Sequence, residues 1–119
     1  MDTNPFDKSP ATRALYDTLL ERLRSLGPIV VETKKTSAHI VAGSGAFLGV
    51  HPRSNGLLVN IVLDRELVGD RVGKCEQVSR SRYHNEVKIS GREDIDEELM
   101  GWIRDAYQLK VAAAGNTEG

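Results

Sequence analysis

Cysteine is nearly missing from this sequence: Cys75 is the only one in 119 residues. One thiol cannot close an intrachain disulfide, so a disulfide scaffold is excluded, as is a cysteine-rich zinc site. A lone cysteine fits a reducing cytoplasm, the location expected for the chain. Aromatic residues are also scarce, with two Phe, three Tyr and one Trp. Proteins that grip single-stranded nucleic acid stack bases on exposed rings, and several of these six are needed for a core. Nucleic acid is therefore disfavoured as a partner. The longest apolar stretch, residues 57–63, is interrupted by Asn60 and is far shorter than the ~20 residues of a membrane helix. Residues 1–9 are polar and lack the apolar segment of a signal peptide. No excess of either sign dominates the net charge of −1, which argues against a strongly basic nucleic-acid binder.

What remains is the composition of an ordinary folded domain, 39% hydrophobic and 28% charged. The length suits one core without covalent staples. Ser9-Pro10 carries a good N-cap followed by proline at the first helical position. Leu15, Leu19, Leu23 and Leu26 then recur at helical spacing. Gly27 and Pro28 supply the stop. Beyond them the period changes. Residues 29–32 and 37–42 are rich in β-branched residues, Gly43-Ser44-Gly45 reads as a turn, and residues 46–51 read as the return strand, ended by Pro52. Asn55-Gly56 signals a tight turn made with positive φ. The next strand, 57–63, sends Leu57, Val59, Ile61 and Leu63 to one face and Leu58, Asn60 and Val62 to the other.

Residues 65–82 carry two glycines, many charges and few apolar side chains, as in a loop with a ragged strand or short helical turn. Residues 83–89 form the last strand. A closing helix follows, with a capping-box layout at Asp94-Ile95-Asp96-Glu97 and a buried stripe of Ile95, Leu99, Trp102, Ile103 and Ala106. The expected fold class is α+β: an antiparallel meander with the N-terminal and C-terminal helices packed on one face. Residues 1–8 form a flexible arm on this reading, with Phe6 a candidate to tuck back onto the body, 9–110 the single domain and 111–119 a disordered tail.

Charge is unevenly spread. Residues 34–92 hold ten Lys/Arg against five Asp/Glu, an excess of five, and all three histidines. The last helix is acidic. A basic sheet can meet an anionic ligand or partner, or it can simply be a solvated face whose charges guard its edges. At strand spacing Arg80, Arg82 and His84 share one face, where arginine offers paired donors to phosphate or carboxylate. Lys35 sits between two strands, His39 on the second, and Arg53 beside the Asn-Gly turn. These six are the candidate ligand-binding residues. His39, His51 and His84 approximate a zinc set in number but not in spacing, and no metal or cofactor is expected. No phosphate-binding glycine loop, hydrolase elbow or carboxylate pair is present.

Ala14-Leu15-Tyr16, Leu26-Gly27-Pro28, Lys35-Thr36, Phe47-Leu48-Gly49-Val50, Pro52-Arg53 and Gly56-Leu57 occur in an order that resembles the domain of unknown function 5655 family. Tyr83-His84, Val87, Ile89, residues 94–99 and residues 102–107 continue it. The resemblance implies a bacterial module, with no established activity or cofactor, that is often joined to other domains. Some members carry a cysteine-rich segment at their start; this sequence lacks it, so nothing about metal carries over. A non-catalytic module for an anionic small molecule or protein partner is the leading expectation. A small enzyme using His84 or Lys35 as acid–base is one alternative. A protein–protein adaptor using the bare sheet face is another.

Overall fold

The computed structural model describes residues 4–115. Ser9 caps the first helix, α1 (Pro10–Arg24), by accepting a hydrogen bond from the Thr12 amide at 3.2 Å. Its buried stripe is Leu15, Tyr16, Leu19 and Leu23. A 3-10 turn, Pro5–Lys8, precedes it, and Phe6 is fully buried with its ring stacked on Tyr16 at 3.7 Å between centroids. The packed body therefore begins inside the segment assigned to an arm from sequence, because one large apolar ring there has a partner to bury against.

Six antiparallel strands follow: β1 (Val30–Thr33), β2 (Ala38–Ala42), β3 (Gly45–Arg53), β4 (Gly56–Leu63), β5 (Val72–Ser79) and β6 (Arg82–Ile89). They lie in the order β1-β2-β3-β4-β6-β5. The simple meander breaks at its last step. β6 takes the place beside β4, and the polar, twice-bulged β5 is left at the edge, where charged residues and bulges discourage pairing with another chain. The ragged stretch is thus a real strand preceded by a loop. A second 3-10 turn, Arg92–Asp94, leads to α2 (Glu97–Gly115), which continues past residue 110, where the sequence suggested a tail. The remainder of that tail lies outside the described residues.

Alternation in β4 fixes the layers. Leu57, Val59, Ile61 and Leu63 are fully buried under the helices, while Leu58, Asn60 and Val62 are half-buried on the other face. Each buried Leu or Val contributes about 1.5–3 kcal/mol. A bulge between Ile40 and Val41 of β2 leaves Phe47 of β3 unpaired, so Phe47 and Leu48 are both buried although they are adjacent in sequence. Phe47 meets Tyr107 of α2 edge-on, with centroids 5.4 Å apart. Trp102, expected in the buried stripe of α2, is only partly buried beneath the Arg71 guanidinium, 5.8 Å from its ring centroid. Met100 and Tyr107 take buried positions instead.

Two turn assignments change in the structure. Pro52 lies inside β3 opposite Leu57. The closing pair of the hairpin is Arg53 and Gly56; pairs alternate between hydrogen-bonded and not, so position 52 faces away from β4. On that other side β2 has already ended, its last partner being Val50, and a missing N–H costs nothing. The Asn55-Gly56 turn does not use positive φ. Gly56 is needed for space: a Cβ there would collide with the Ile89 carbonyl oxygen of β6.

The loop before β5 is held by two side chains. Buried Asn85 of β6 accepts from the Leu67 amide at 2.8 Å and donates to the carbonyls of Ile61 and Arg65. Arg71 donates to both Asp96 oxygens, to Glu98 and to the Asp94 carbonyl. Arg71, and then the Leu99 amide, hold the Asp96 carboxyl below the usual range.

Asn85→Leu should lose about 2–3 kcal/mol in urea unfolding, since it strands a buried amide and two carbonyls; a loss under about 0.5 kcal/mol would contradict the role given to Asn85. Gly56→Ala should destabilise by more than about 1 kcal/mol. Gly45→Ala, where a Cβ meets nothing within 4 Å, should stay within about 0.5 kcal/mol of the parent. Equal melting curves for the two variants would refute the steric account of Gly56.

Candidate functional site

Both helices lie on one face of the sheet, so the opposite face is bare. Register places its residues in rows. His39 of β2 stands opposite Gly49 of β3, Gly49 opposite Asn60 of β4, and Asn60 opposite Glu86 of β6. One row toward the β3–β4 hairpin lie His51, Leu58 and Lys88. One row the other way lie Val62 and His84, with Glu76 of β5 beyond them. Arg82 follows opposite Ser79.

Gly49 has no side chain to fill the centre. Its missing Cβ would lie 3.8 Å from both the Asn60 Cβ and His51 Nε2, so the His51 imidazole leans over this gap. The result is a depression of about 420 Å³ lined by His39, Gly49, His51, Asn60, Val62, Ser79, Arg82, His84 and Lys110 among others. Lys110 arrives from the helix layer. The Ser44 amide donates to the Lys110 carbonyl at 3.1 Å, and Gly43 adopts a φ of +57° where a Cβ would strike that carbonyl. These contacts dock the end of α2 on the β2–β3 hairpin and bring Lys110 to the rim of the depression.

The lining contains no carboxylate. Burial first, then Arg53 and His39, lower the His51 pKa, with Glu86 opposing them. Its imidazole is thus biased toward the neutral form in the free protein. Arg82 forms no ion pair among the described residues and donates to the Ser81 carbonyl at 2.8 Å, which leaves most of its guanidinium donors free.

The six candidates separate. His39, Arg82 and His84 meet in the depression. Arg53 lies outside it, in a second depression of about 640 Å³ with Ser54, Asn55, Leu58, Glu86, Lys88 and Ser90. Arg80 is not on the strand face: it occupies the β5–β6 turn and is exposed. Lys35 is exposed in the β1–β2 turn, outside both depressions and not a buried amine. Lys110, Asn60, Ser79 and the gap at Gly49 are additions. Only Gly49 had a local signal, a glycine inside a strand pattern; Lys110 depends on a helix-to-hairpin contact that no spacing reveals. His51, considered from sequence only beside a zinc set, belongs to the site.

Part of the basic excess is used internally. Arg65 pairs with Asp105, and Arg71 with Asp96 and Glu98, at 2.8–3.0 Å. The acids of α2 therefore neutralise two of the ten cations counted in the sheet segment. Among the described residues no three His, Cys, Asp or Glu side chains form a set able to hold a metal ion. Burial, then Glu66, push the Cys75 thiol up, so the thiol stays protonated and weakly nucleophilic. Among the described residues no helix is long and apolar enough to cross a membrane.

No curated protein and no solved structure matches the chain significantly. A family model does, the one described as Domain of unknown function (DUF5655), and the match runs over residues 3–110 of the 119. That span holds every strand, both helix starts and all the side chains that line the depression, and the chain belongs to the DUF5655 family.

Proposed function

We propose that the protein is a non-catalytic binding module that holds a small oxyanion in the depression of the bare sheet face. The observation that carries this reading is the lining itself: two permanent cations, Arg82 and Lys110, and three imidazoles, with no carboxylate among them. The nearest carboxylates, Glu76 opposite His84 and Glu86 opposite Asn60, lie beside this lining and not in it, so an anion that enters meets an excess of positive charge. Arg82 offers paired donors to phosphate, sulfate or carboxylate, and Asn60 and Ser79 add neutral ones. A cytoplasmic setting fits the single protonated thiol.

The alternatives have less support. Of the two acid–base candidates, Lys35 lies in a turn outside the depression, and His84 lines it with no carboxylate in the lining to act as its partner. Adaptor function through an apolar patch has little to work with: the exposed large hydrophobics Val30, Val68, Val78 and Val111 sit on β1, the β4–β5 loop, β5 and α2.

Calorimetric titration with sulfate and with pyrophosphate should show binding that weakens as NaCl is raised. Arg82→Ala should lose about tenfold, since a charge-assisted hydrogen bond is worth about 1.5–3 kcal/mol and about 1.4 kcal/mol is tenfold. Sulfate keeps its charge near neutrality, so its pH profile reports on the protein. An anion favours the imidazolium form of His51, binding takes up a proton, and affinity should rise as pH falls from about 7.5 to about 5.5. For stability of the free protein the sign is opposite. The unfolded chain protonates His51 at a higher pH than the fold does, so the contribution of this residue is intact above the unfolded value of ~6.5 and is lost as pH falls through the folded value. Titrations with no heat for either anion, or affinity indifferent to salt and to Arg82, would refute the reading.

A further inference from the structure

The two depressions are neighbours on one face. His51, which lines the first, stands in the same row as Leu58 and Lys88, which line the second. Arg82 and Lys88 mark the far ends of this track on β6. They are six residues apart on alternate positions of one strand, which spans about 20 Å. Cations therefore stand at both ends: Arg82 and Lys110 at one, Arg53 and Lys88 at the other. His51 lies between them, and Glu86 lies on β6 between Arg82 and Lys88, lining the second depression and a smaller pocket that Asn60 and His84 share with the first. No ion pair engages Arg53, Arg82, Lys88 or Lys110 among the described residues.

We infer that the natural ligand is a linear polyphosphate chain lying along this track, with its phosphates read by charge at both ends. This rests on the anion-binding reading above and extends it from one depression to two. The occupant follows from what lines the track. Neither depression contains a Phe, Tyr or Trp, so a nucleobase finds no ring to stack on, and stacking is what single-strand binders use. What is offered is Arg, Lys and His donors with Ser and Asn, which suits repeated oxyanions. Glu86 weakens the second depression for a small anion, which therefore takes the first; a long chain reaches Arg53 and Lys88 because its other end is already held. Linking the two contacts makes the second effectively intramolecular.

The experiment compares inorganic triphosphate, a size-fractionated linear polyphosphate of about fifteen units and an oligothymidylate of matched charge, on the parent and on Arg53→Ala/Lys88→Ala. Neither substitution disturbs a packing contact: Lys88 is exposed, and the Arg53 backbone carbonyl, not its side chain, accepts from Thr12. Arg53 also lowers the His51 pKa, so the comparison is made at a pH of about 8, where the free protein holds His51 neutral with or without Arg53; the expected result there is triphosphate affinity unchanged in the double variant. The long chain should bind the parent at least tenfold more tightly than triphosphate, and that ratio should fall at least fivefold in the variant. Because longer chains offer more binding registers to both proteins, the drop in the ratio, and not the ratio itself, is decisive. The slope of log affinity against log salt for the long chain should be shallower by about two in the variant, one per lost cation. If triphosphate binds and the ratio is the same in both proteins, the two-ended track is wrong while the single anion site stands. Oligothymidylate binding more tightly than the polyphosphate would overturn the occupant in favour of nucleic acid. Failure of triphosphate to bind the parent would remove both readings together.

Discussion

Leu57, Val59, Ile61 and Leu63 point to the helix side of a strand that is paired along both edges, and each is fully buried. Strand periodicity is two, so this choice also determines the opposite face. Register carries it across the sheet. Gly49 must face away from the helices because Leu48 and Val50 face them, and His39 and His84 must stand on the bare side because Ile40 and Asn85 do not. A slip of one residue in β4 would expose these four aliphatic side chains and turn Leu58, Asn60 and Val62 toward the helices. The polar depression is held in place by the hydrophobic demand on the other side of the same backbone, and needs no polar network of its own.

Charge is organised by the same layering. Composition alone puts an excess of five cations in the sheet segment, but a residue's position along the chain does not say which face it serves. Arg65 and Arg71 leave the segment's loop toward the helix layer and meet Asp105, Asp96 and Glu98 there. The acids at the start of α2 thus have two tasks. They favour the positive end of the helix dipole, and they take arginines that would otherwise add to the surface. These pairs are largely exposed and contribute modestly to stability; their greater effect is to fasten the β4–β5 loop to α2. Of what remains unpaired, Arg53, Arg82 and Lys88 line the depressions of the bare face, while Lys35 and Arg80 stay in turns.

The parts of the fold that were legible in the sequence are those set by local chemistry: the Ser9-Pro10 start of α1, the alternation of β4, and two helices on one side; α1 itself ends at Arg24 with Ser25 as its cap, before Leu26 and the stop expected at Gly27. The parts that were not depend on contacts distant in sequence. The exchange of β5 and β6 depends on a buried Asn85 that grips a loop 18 to 20 residues away, and asparagine in a strand carries no such label. Gly56 looked like a turn glycine because turns and close approaches favour the same residue; only the position of Ile89 separates them. Among site residues, Arg82 and His84 followed from strand spacing, whereas Arg80 did not because the strand begins two residues later than the spacing assumed. Lys110 was hidden in an acidic helix whose end happens to reach a hairpin.

The composition of the depression also explains how a small domain tolerates it. Five permanent cations at this spacing would repel one another with only Glu76 and Glu86 beside them, a direct cost to a fold held by a few kcal/mol. Histidine avoids most of that cost, since imidazole changes charge close to neutral pH. His51 shows the device most clearly. Its ring lies over the gap at Gly49, where burial and the neighbouring Arg53 and His39 favour the uncharged form. The same ring is placed to become a cation when an oxyanion enters and reverses the local field. On the anion-binding reading, much of the positive charge of the face is present only when there is something to neutralise it, and selectivity for anions is linked to proton uptake at a residue that the empty protein keeps neutral.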